Sequence, residues 1–173
     1  MKTKLNQSKL KGAIVSAMLL GTAAITAPTY AVDENIDVTA SINVACTITT
    51  TDLNFGNYDP IITNAADPLQ KMASVTSTCT VGAAGVILLD NGDNYTEGEG
   101  RQMVHATDAT SFLKYSVSNA SYGGANWGIG AEGVTYEGTG SGVLEDIYGQ
   151  VEAGQNTAVD GSYTDQIVAT INY

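Results

Sequence analysis

Residues 36–44 read Ile-Asp-Val-Thr-Ala-Ser-Ile-Asn-Val, and this stretch decides the fold class. Apolar side chains occupy every second position, and polar side chains fill the positions between them. A period of two is the period of a β-strand, whose successive side chains point to opposite faces. The stretch therefore predicts a strand with one face to bury and one face in solvent. Its apolar face consists of Ile36, Val38, Ala40, Ile42 and Val44.

The rest of the chain also has the pattern of strands separated by turns. Alternating or β-branched runs predict strands over residues 72–81, 86–89, 112–117, 143–151 and 163–173. Turn-forming residues separate these runs at 58–60, 67–68, 90–93 and 160–161. Eight glycines between Gly123 and Gly142 predict mobile loops or irregular, bulged strands there. Since no segment shows a capped helical period, the fold class is all-β, an antiparallel β-sandwich.

The N-terminus predicts a secretory signal peptide over residues 1–31. Four lysines among the first eleven residues precede an uncharged apolar run over residues 13–27, and Thr29-Tyr30-Ala31 supplies the small residues of a cleavage site. The alternative is an N-terminal anchor helix, but the apolar run is shorter than the roughly twenty residues that a membrane span needs. Cleavage after Ala31 leaves a chain of one domain, with no insertion into a membrane.

Charge and cysteines limit the function of the mature chain. It carries 18 acidic residues against three basic ones, a net charge of −15 that disfavours binding to nucleic acid or anionic membranes. In an exported protein the two cysteines, Cys46 and Cys79, predict a disulfide. A metal-binding pair is the poorer interpretation, because there is no CxxC motif and His105 is the only histidine.

The sequence offers little for catalysis, so we expect no enzyme and no cofactor. His105 is the only imidazole, no nucleophile elbow is present, and a satisfied surface or edge position is the simpler role for it. Acidic neighbours such as 97 with 99 and 145 with 146 are expected by chance at this composition. The acidic loop 90–99 predicts a solvated hairpin, with calcium binding as the alternative. Trp127 predicts a core or edge residue, with sugar stacking as the alternative.

Several short motifs occur in one order along the mature chain. They are Cys46-Thr47-Ile48, Leu53-Asn54-Phe55-Gly56-Asn57-Tyr58, Ser77-Thr78-Cys79, Arg101-Gln102-Met103, Leu113-Lys114-Tyr115-Ser116-Val117, Asn126-Trp127-Gly128, and a closing strand that ends on an aromatic residue. In this order the chain resembles the spore coat protein U domain, the domain of the pilins of archaic chaperone–usher pili. Two features depart from the family pattern: Ser118-Asn119-Ala120-Ser121 replaces an aliphatic, aromatic and acidic run, and the glycine-rich stretch is longer.

The resemblance implies an incomplete immunoglobulin-like sandwich that lacks its last strand. It implies residues 32–45 as an N-terminal donor-strand extension and residues 46–173 as the pilin domain. The partners it implies are a periplasmic chaperone, an outer-membrane usher and neighbouring pilin subunits, in a homopolymer or a heteropolymer. The product would be an extracellular fibre, a fimbrium that serves adhesion and biofilm formation.

Two sets of residues follow as candidate sites. Ile36, Val38, Ala40, Ile42 and Val44 would form the donor strand, inserted into a neighbouring subunit; the alternative is that they form the domain's own first strand. The last strand would be the chaperone-contact strand, with Tyr163, Ile167, Ala169, Ile171 and Tyr173 on its apolar face. A secreted monomeric lectin-like binding protein and a spore-coat-like structural protein stay open as alternative functions.

Overall fold

The computed structural model describes residues 29–173, so the predicted signal peptide lies, up to residue 28, outside the described residues. Regular structure in the described part consists of nine β-strands and one 3₁₀ turn, Gly130–Glu132. The strands are β1 (Cys46–Thr50), β2 (Leu69–Cys79), β3 (Ala84–Leu89), β4 (Arg101–His105), β5 (Phe112–Ser118), β6 (Val134–Glu137), β7 (Gly142–Val151), β8 (Tyr163–Thr164) and β9 (Ala169–Asn172).

These strands form two antiparallel sheets. One sheet has six strands in the order β1-β2-β7-β5-β4-β8, and the other has three in the order β6-β3-β9. Every ladder between the named strands is antiparallel. The predicted all-β antiparallel sandwich is confirmed.

The core lies between the sheets and is built by alternation along the long strands. In β2 the buried positions are Ala73, Val75, Ser77 and Cys79, with more exposed residues between them. Trp127 is fully buried and donates its indole N–H to the carbonyl of Ile87 at 3.0 Å. The prediction of a core tryptophan is confirmed, and a fully buried ring has no face for a sugar.

The disulfide links the first residue pair of the ladder between β1 and β2. Cys46 on β1 faces Cys79 on β2, and the two are bonded with their Cα atoms 4.1 Å apart. The predicted pairing is confirmed. Since β1 is five residues long and, within residues 29–173, has β2 as its sole ladder partner, the bond anchors the start of a short edge strand.

A buried arginine joins the end of β3 to the loop that carries the tryptophan. Arg101 is 4% exposed and donates to the carbonyls of Asp90 and Trp127, as well as to the side chain of Asn126. Burial lowers the pKa of its guanidinium. The cation is thus satisfied by carbonyl oxygens, which is how a charge can remain in a sandwich interior.

The predicted C-terminal strand, residues 163–173, is wrong as a single strand. The structure has two short strands in different sheets, β8 and β9. Between them the backbone bonds to the loop after β3: the Asp90 N–H donates to the Val168 carbonyl, and the Val168 N–H donates to the Asp90 carboxylate. Those tertiary bonds replace a ladder, so the chain changes sheets there.

Neither β4 nor β6 was predicted, and β1 lies just beyond the predicted run 36–44. β4 begins at Arg101, a charged residue that the pattern gave no reason to bury, and β6 lies inside the glycine-rich stretch. β6 is a regular four-residue strand that pairs with β3, rather than a mobile loop or a bulged strand.

The chain divides into two units, Met1–Ala40 and Ser41–Tyr173, the second of which contains both sheets. Residues 29–45 belong to no strand and are exposed along their length. The predicted strand over 36–44 is therefore absent from this structure, whose first ladder begins at Cys46. A strand needs a partner edge for its N–H and C=O groups, and this segment has none in a ladder. Among the described residues, no helix has the length and apolar character of a membrane span.

Candidate strand-binding groove

The sandwich has one edge strand of each sheet on the same side. β1 is the edge of the six-stranded sheet and β9 is the edge of the three-stranded sheet, and the two strands lie close together without forming a ladder. Each has a ladder partner on one side only. Edge strands carry unpaired backbone donors and acceptors that invite pairing with another strand.

A groove of about 1160 Å³ continues from this side of the sandwich. One wall is formed by residues 50–58, which begin at the last residue of β1, and the other by residues 158–167 with Ala169. The floor consists of core side chains from both sheets, namely Leu89, Met103, Leu113, Ile147 and Val151. The groove therefore reaches down to the hydrophobic core, whose side chains form its floor.

The first wall carries the Leu53–Tyr58 motif. Leu53 packs against Gly149 of β7. A Cβ atom on residue 149, which glycine lacks, would lie 2.6 Å from a methyl carbon of Leu53. Phe55 is buried and packs edge-on against Tyr115, with ring centroids 6.1 Å apart. Tyr58 donates its hydroxyl to the Glu152 carbonyl at 2.7 Å. Three side-chain contacts therefore hold this wall against the sandwich.

The second wall carries three of the five predicted chaperone-contact residues, namely Tyr163, Ile167 and Ala169. Tyr163, Ile167, Ala169 and Ile171 are half-buried against the core, and the residues between them are more exposed, apart from Asp165. The predicted apolar face is therefore present up to Ile171. Tyr173 departs from it with 63% of its surface exposed. Contact with a chaperone stays a prediction for all five.

A polar network holds the second wall in place. Asp165 accepts from the Tyr115 hydroxyl at 2.6 Å through one oxygen, and from the backbone and side-chain amides of Asn94 through the other. Burial, followed by the carboxylate contact, raises the pKa of Tyr115 far above its ordinary value. The phenol is therefore held in its protonated form, in which it donates to Asp165.

The only histidine, His105, packs against the same wall and has partners for both ring nitrogens. Nδ1 of His105 accepts the backbone N–H groups of Thr107 and Asp108, which leaves Nε2 to donate to the Asp160 carbonyl at 3.1 Å. The ring packs edge-on against Tyr163 at 5.1 Å. His105 is 8% exposed, so its predicted satisfied state is correct but its surface position is not.

Two carboxylates of the acidic loop, those of Asp90 and Glu99, bind other groups of the protein. Asp90 accepts the N–H of Gly92 and of Val168, and Glu99 forms an ion pair with Lys114. Within residues 29–173 no three side chains of His, Cys, Asp or Glu converge as a metal site would require. The geometry gives this loop a structural role in bracing the second wall.

The predicted donor-strand residues lie outside every ladder. Ile36, Val38 and Ile42 are each between 86 and 90% exposed, and Val44 is 53% exposed. Ala40 is exposed as well. Their insertion into a neighbouring subunit stays a prediction.

Comparison with known proteins identifies the family. The family model of the Spore Coat Protein U domain matches residues 32–170. The chain belongs to the spore coat protein U domain family. A relative, "Protein U" of Myxococcus xanthus, is 32% identical over 151 residues, which cover 80% of this chain and 83% of the relative.

A solved structure shares the fold of this spore coat protein U domain. It is the CsuC–CsuE chaperone–tip adhesion subunit pre-assembly complex from archaic chaperone–usher Csu pili of Acinetobacter baumannii, with a TM-score of 0.53 and 21% identity. The match covers 76% of this chain, which spans 40% of the length of the solved chain. At that identity the likeness shows the fold.

Sequence reasoning placed part of the groove of this spore coat protein U domain and missed the rest. The motif that includes Leu53 and Phe55 carried the family resemblance, but nothing in its pattern showed that it forms a wall. Met103 was quoted in a motif without a structural role, and Ile147 as part of a strand. The groove floor joins residues from four strands, and only the topology brings these together.

Proposed function

We propose that this protein is a structural, non-enzymatic subunit of an extracellular fibre that assembles by strand exchange between subunits. One observation carries the proposal: the domain has a groove with apolar core side chains along its floor beside two edge strands, and the same chain has an exposed, two-faced segment at residues 36–44. Addition of an extended segment to an open sheet edge is the mode by which chaperones and pilins complement each other.

The segment and the groove match in physical terms. Nine residues at about 3.3 Å each span roughly 30 Å, the length of a sandwich domain. Burial of its five apolar side chains contributes on the order of 10 kcal/mol before the cost of ordering the segment. The backbone of the inserted strand would pair with edge groups of β1 or β9 that have no ladder partner on that side.

The proposal includes the partners that a fibre subunit of this fold requires. A periplasmic chaperone covers the groove before assembly, an outer-membrane usher exchanges it for a neighbouring subunit, and the product is a surface fimbrium. The solved complex of the same fold contains a chaperone with a subunit, which supports this route. Adhesion and biofilm formation are the proposed roles of the fibre.

A charge in the middle of the donor face tests the mechanism. Ala40→Asp would place an unpaired carboxylate in the groove of the next subunit, at a cost of several kcal/mol. Thr39→Asp, one residue away on the polar face, is the matched control. We expect Ala40→Asp subunits to be exported with their disulfide formed but to give no fibres in electron micrographs, whereas Thr39→Asp subunits assemble.

The other outcomes separate the alternatives. Loss of the Ala40→Asp subunit itself would indicate that the segment is the domain's own first strand. Normal fibres from Ala40→Asp would refute the donor role. A wild-type protein that stays a stable monomer without a chaperone would favour a secreted binding protein.

The chaperone contact has its own test. Removal of residues 171–173 deletes part of β9, the edge strand beside the groove. We expect the truncated chain to lose copurification with its chaperone, while Thr170→Ala, a change to an exposed position between Ala169 and Ile171, retains it. Unchanged copurification of the truncated chain would count against the proposed contact strand.

A further inference from the structure

We propose that the turn carrying Val81 of one subunit packs against the loop carrying Ile61 and Ile62 of the next, as a second contact between copies of this chain. The proposal rests on the proposed function, since it describes how two domains meet once residues 36–44 of one occupy the groove of the other. The partner surface is a second copy of this chain.

The first step is the length of the connection. The last donor residue is Val44 and β1 begins at Cys46, so a single residue separates the inserted segment from its own domain. That residue, Ala45, accepts a hydrogen bond from the Thr80 N–H at 3.0 Å and donates to the Thr80 hydroxyl at 3.1 Å. A one-residue connection that is bonded to the domain leaves no linker, so the two domains must touch.

The second step is which surface of the donating domain is brought close. Ala45 is bonded to Thr80, and the next residue is Val81, with 74% of its side chain exposed. Val81 lies on a turn that is held by the bonds of Gly82 to the Gly138 carbonyl and of Ala83 to the Thr80 carbonyl. An exposed apolar side chain thus stands on a fixed turn beside the point where the donor segment leaves its domain.

The third step is the end of the acceptor groove where the segment emerges. Asn172 of β9 pairs with Val86 and Ala169 pairs with Leu89, so β9 runs toward the end of the sandwich that carries the disulfide. We take the added strand to pair with β9, and to run antiparallel to it as the strands of every ladder in this domain do. The same strand is then parallel to β1, which starts at the disulfide end. Val44 then leaves the groove at the opposite end, where β2 begins at Leu69.

The fourth step is what that end of the acceptor presents. The loop before β2 includes Pro60, which lines the groove, followed by Ile61 and Ile62 with 68% and 81% of their surfaces exposed. Asp59 accepts the N–H groups of both isoleucines at 3.0 Å. The buried side chain of Asn64 closes the loop through the Asp59 N–H and the Asp67 carbonyl.

These steps bring two fixed apolar surfaces to the same place. The disulfide end of one domain meets the loop end of the next, a head-to-tail contact that repeats without closing and so builds a filament. Isolated apolar side chains on a surface need no explanation. Here, however, both surfaces stand on hydrogen-bonded turns at the two ends that a one-residue connection forces together.

Engineered cysteines test the contact directly. A disulfide forms when Cβ atoms come within about 4.5 Å of each other, and both native cysteines are already bonded. Subunits carrying Val81→Cys with Ile62→Cys, or with Ile61→Cys, are expressed with their chaperone and usher, and fibres are collected. After boiling in detergent without reductant, we expect a ladder of covalent dimers and higher multimers that reductant removes.

The matched control pairs Val81→Cys with Leu144→Cys, a similarly exposed apolar position on β7. That pair and each single variant are expected to give monomers on the same gel. If wild-type subunits form fibres but neither cysteine pair gives a ladder, this contact is refuted and strand exchange is left intact. A ladder of equal strength in the Leu144 control would also overturn it. Absence of fibres from the wild-type chain would refute the proposed function, and the contact with it.

Discussion

Removal of the Cys46–Cys79 bond is the perturbation whose size follows most directly from the structure. The cysteines are 33 residues apart in sequence. The chain-entropy relation gives about 4 kcal/mol of stability for a bond that closes a loop of that length. With a urea dependence of about 2 kcal/mol per molar, this loss lowers the unfolding midpoint by roughly 2 M.

The assay uses the only tryptophan of the chain. Trp127 is fully buried, so its fluorescence reports the loss of the core. The wild-type subunit and the double variant Cys46→Ala, Cys79→Ala, each with its groove filled by a synthetic peptide of residues 36–44, are unfolded in urea, with and without reductant. The reduced wild type is the control: a midpoint equal to that of the variant assigns the effect to the bond rather than to the lost side chains.

The structure also says where the loss appears first. β1 is an edge strand of five residues with β2 as its ladder partner, and the bond lies at its first rung. We expect amide exchange in β1 of the variant to become fast while β7 stays protected. A midpoint change below about 0.5 M, or equal exchange in β1 of both proteins, would refute this account of the bond.

Two further predictions concern polar groups. Arg101→Met leaves two buried carbonyls, those of Leu89 and Trp127, without the guanidinium donor. We expect the free energy of unfolding, measured in urea, to fall by about 3 kcal/mol. An unchanged unfolding midpoint would contradict this prediction. Backbone N–H groups, first that of Ile62, lower the pKa of Asp59 below 3.8. Its contribution to stability is therefore complete above about pH 4 and is lost as the pH falls through the lowered pKa. Asp59→Asn should remove this dependence from unfolding midpoints measured between pH 3 and 7, and an unaltered pH profile would count against the carboxylate.

The long strands were predictable because their burial follows their sequence. β2, β5 and β7 lie in the interior of the larger sheet and bury alternate residues against one core, so a period of two is visible in each. The disulfide was predictable because an exported chain with two cysteines has a single pairing available. These features depend on local pattern and composition alone.

The groove and the C-terminal break were not predictable, because both depend on bonds between distant residues. Residues 165–168 read as strand, but Asp165 and Val168 bond to Asn94 and Asp90, about 75 residues earlier in the chain. The Leu53–Tyr58 wall has no period, because its side chains are held by Gly149, Tyr115 and Glu152. β4 was not predicted because its first residue, Arg101, is a buried cation, and composition does not reveal that a cation is buried.

The position of the disulfide has a mechanical consequence for a fibre assembled as proposed. Tension along such a fibre enters each domain at Ala45, and the next residue is covalently joined to Cys79. The load therefore passes at once to β2, an eleven-residue strand flanked by β1 and β7, instead of stripping the five-residue β1 from the edge. A pulled fibre would extend by separating domains or by withdrawing the inserted segment, while the sandwich at each joint keeps its shape.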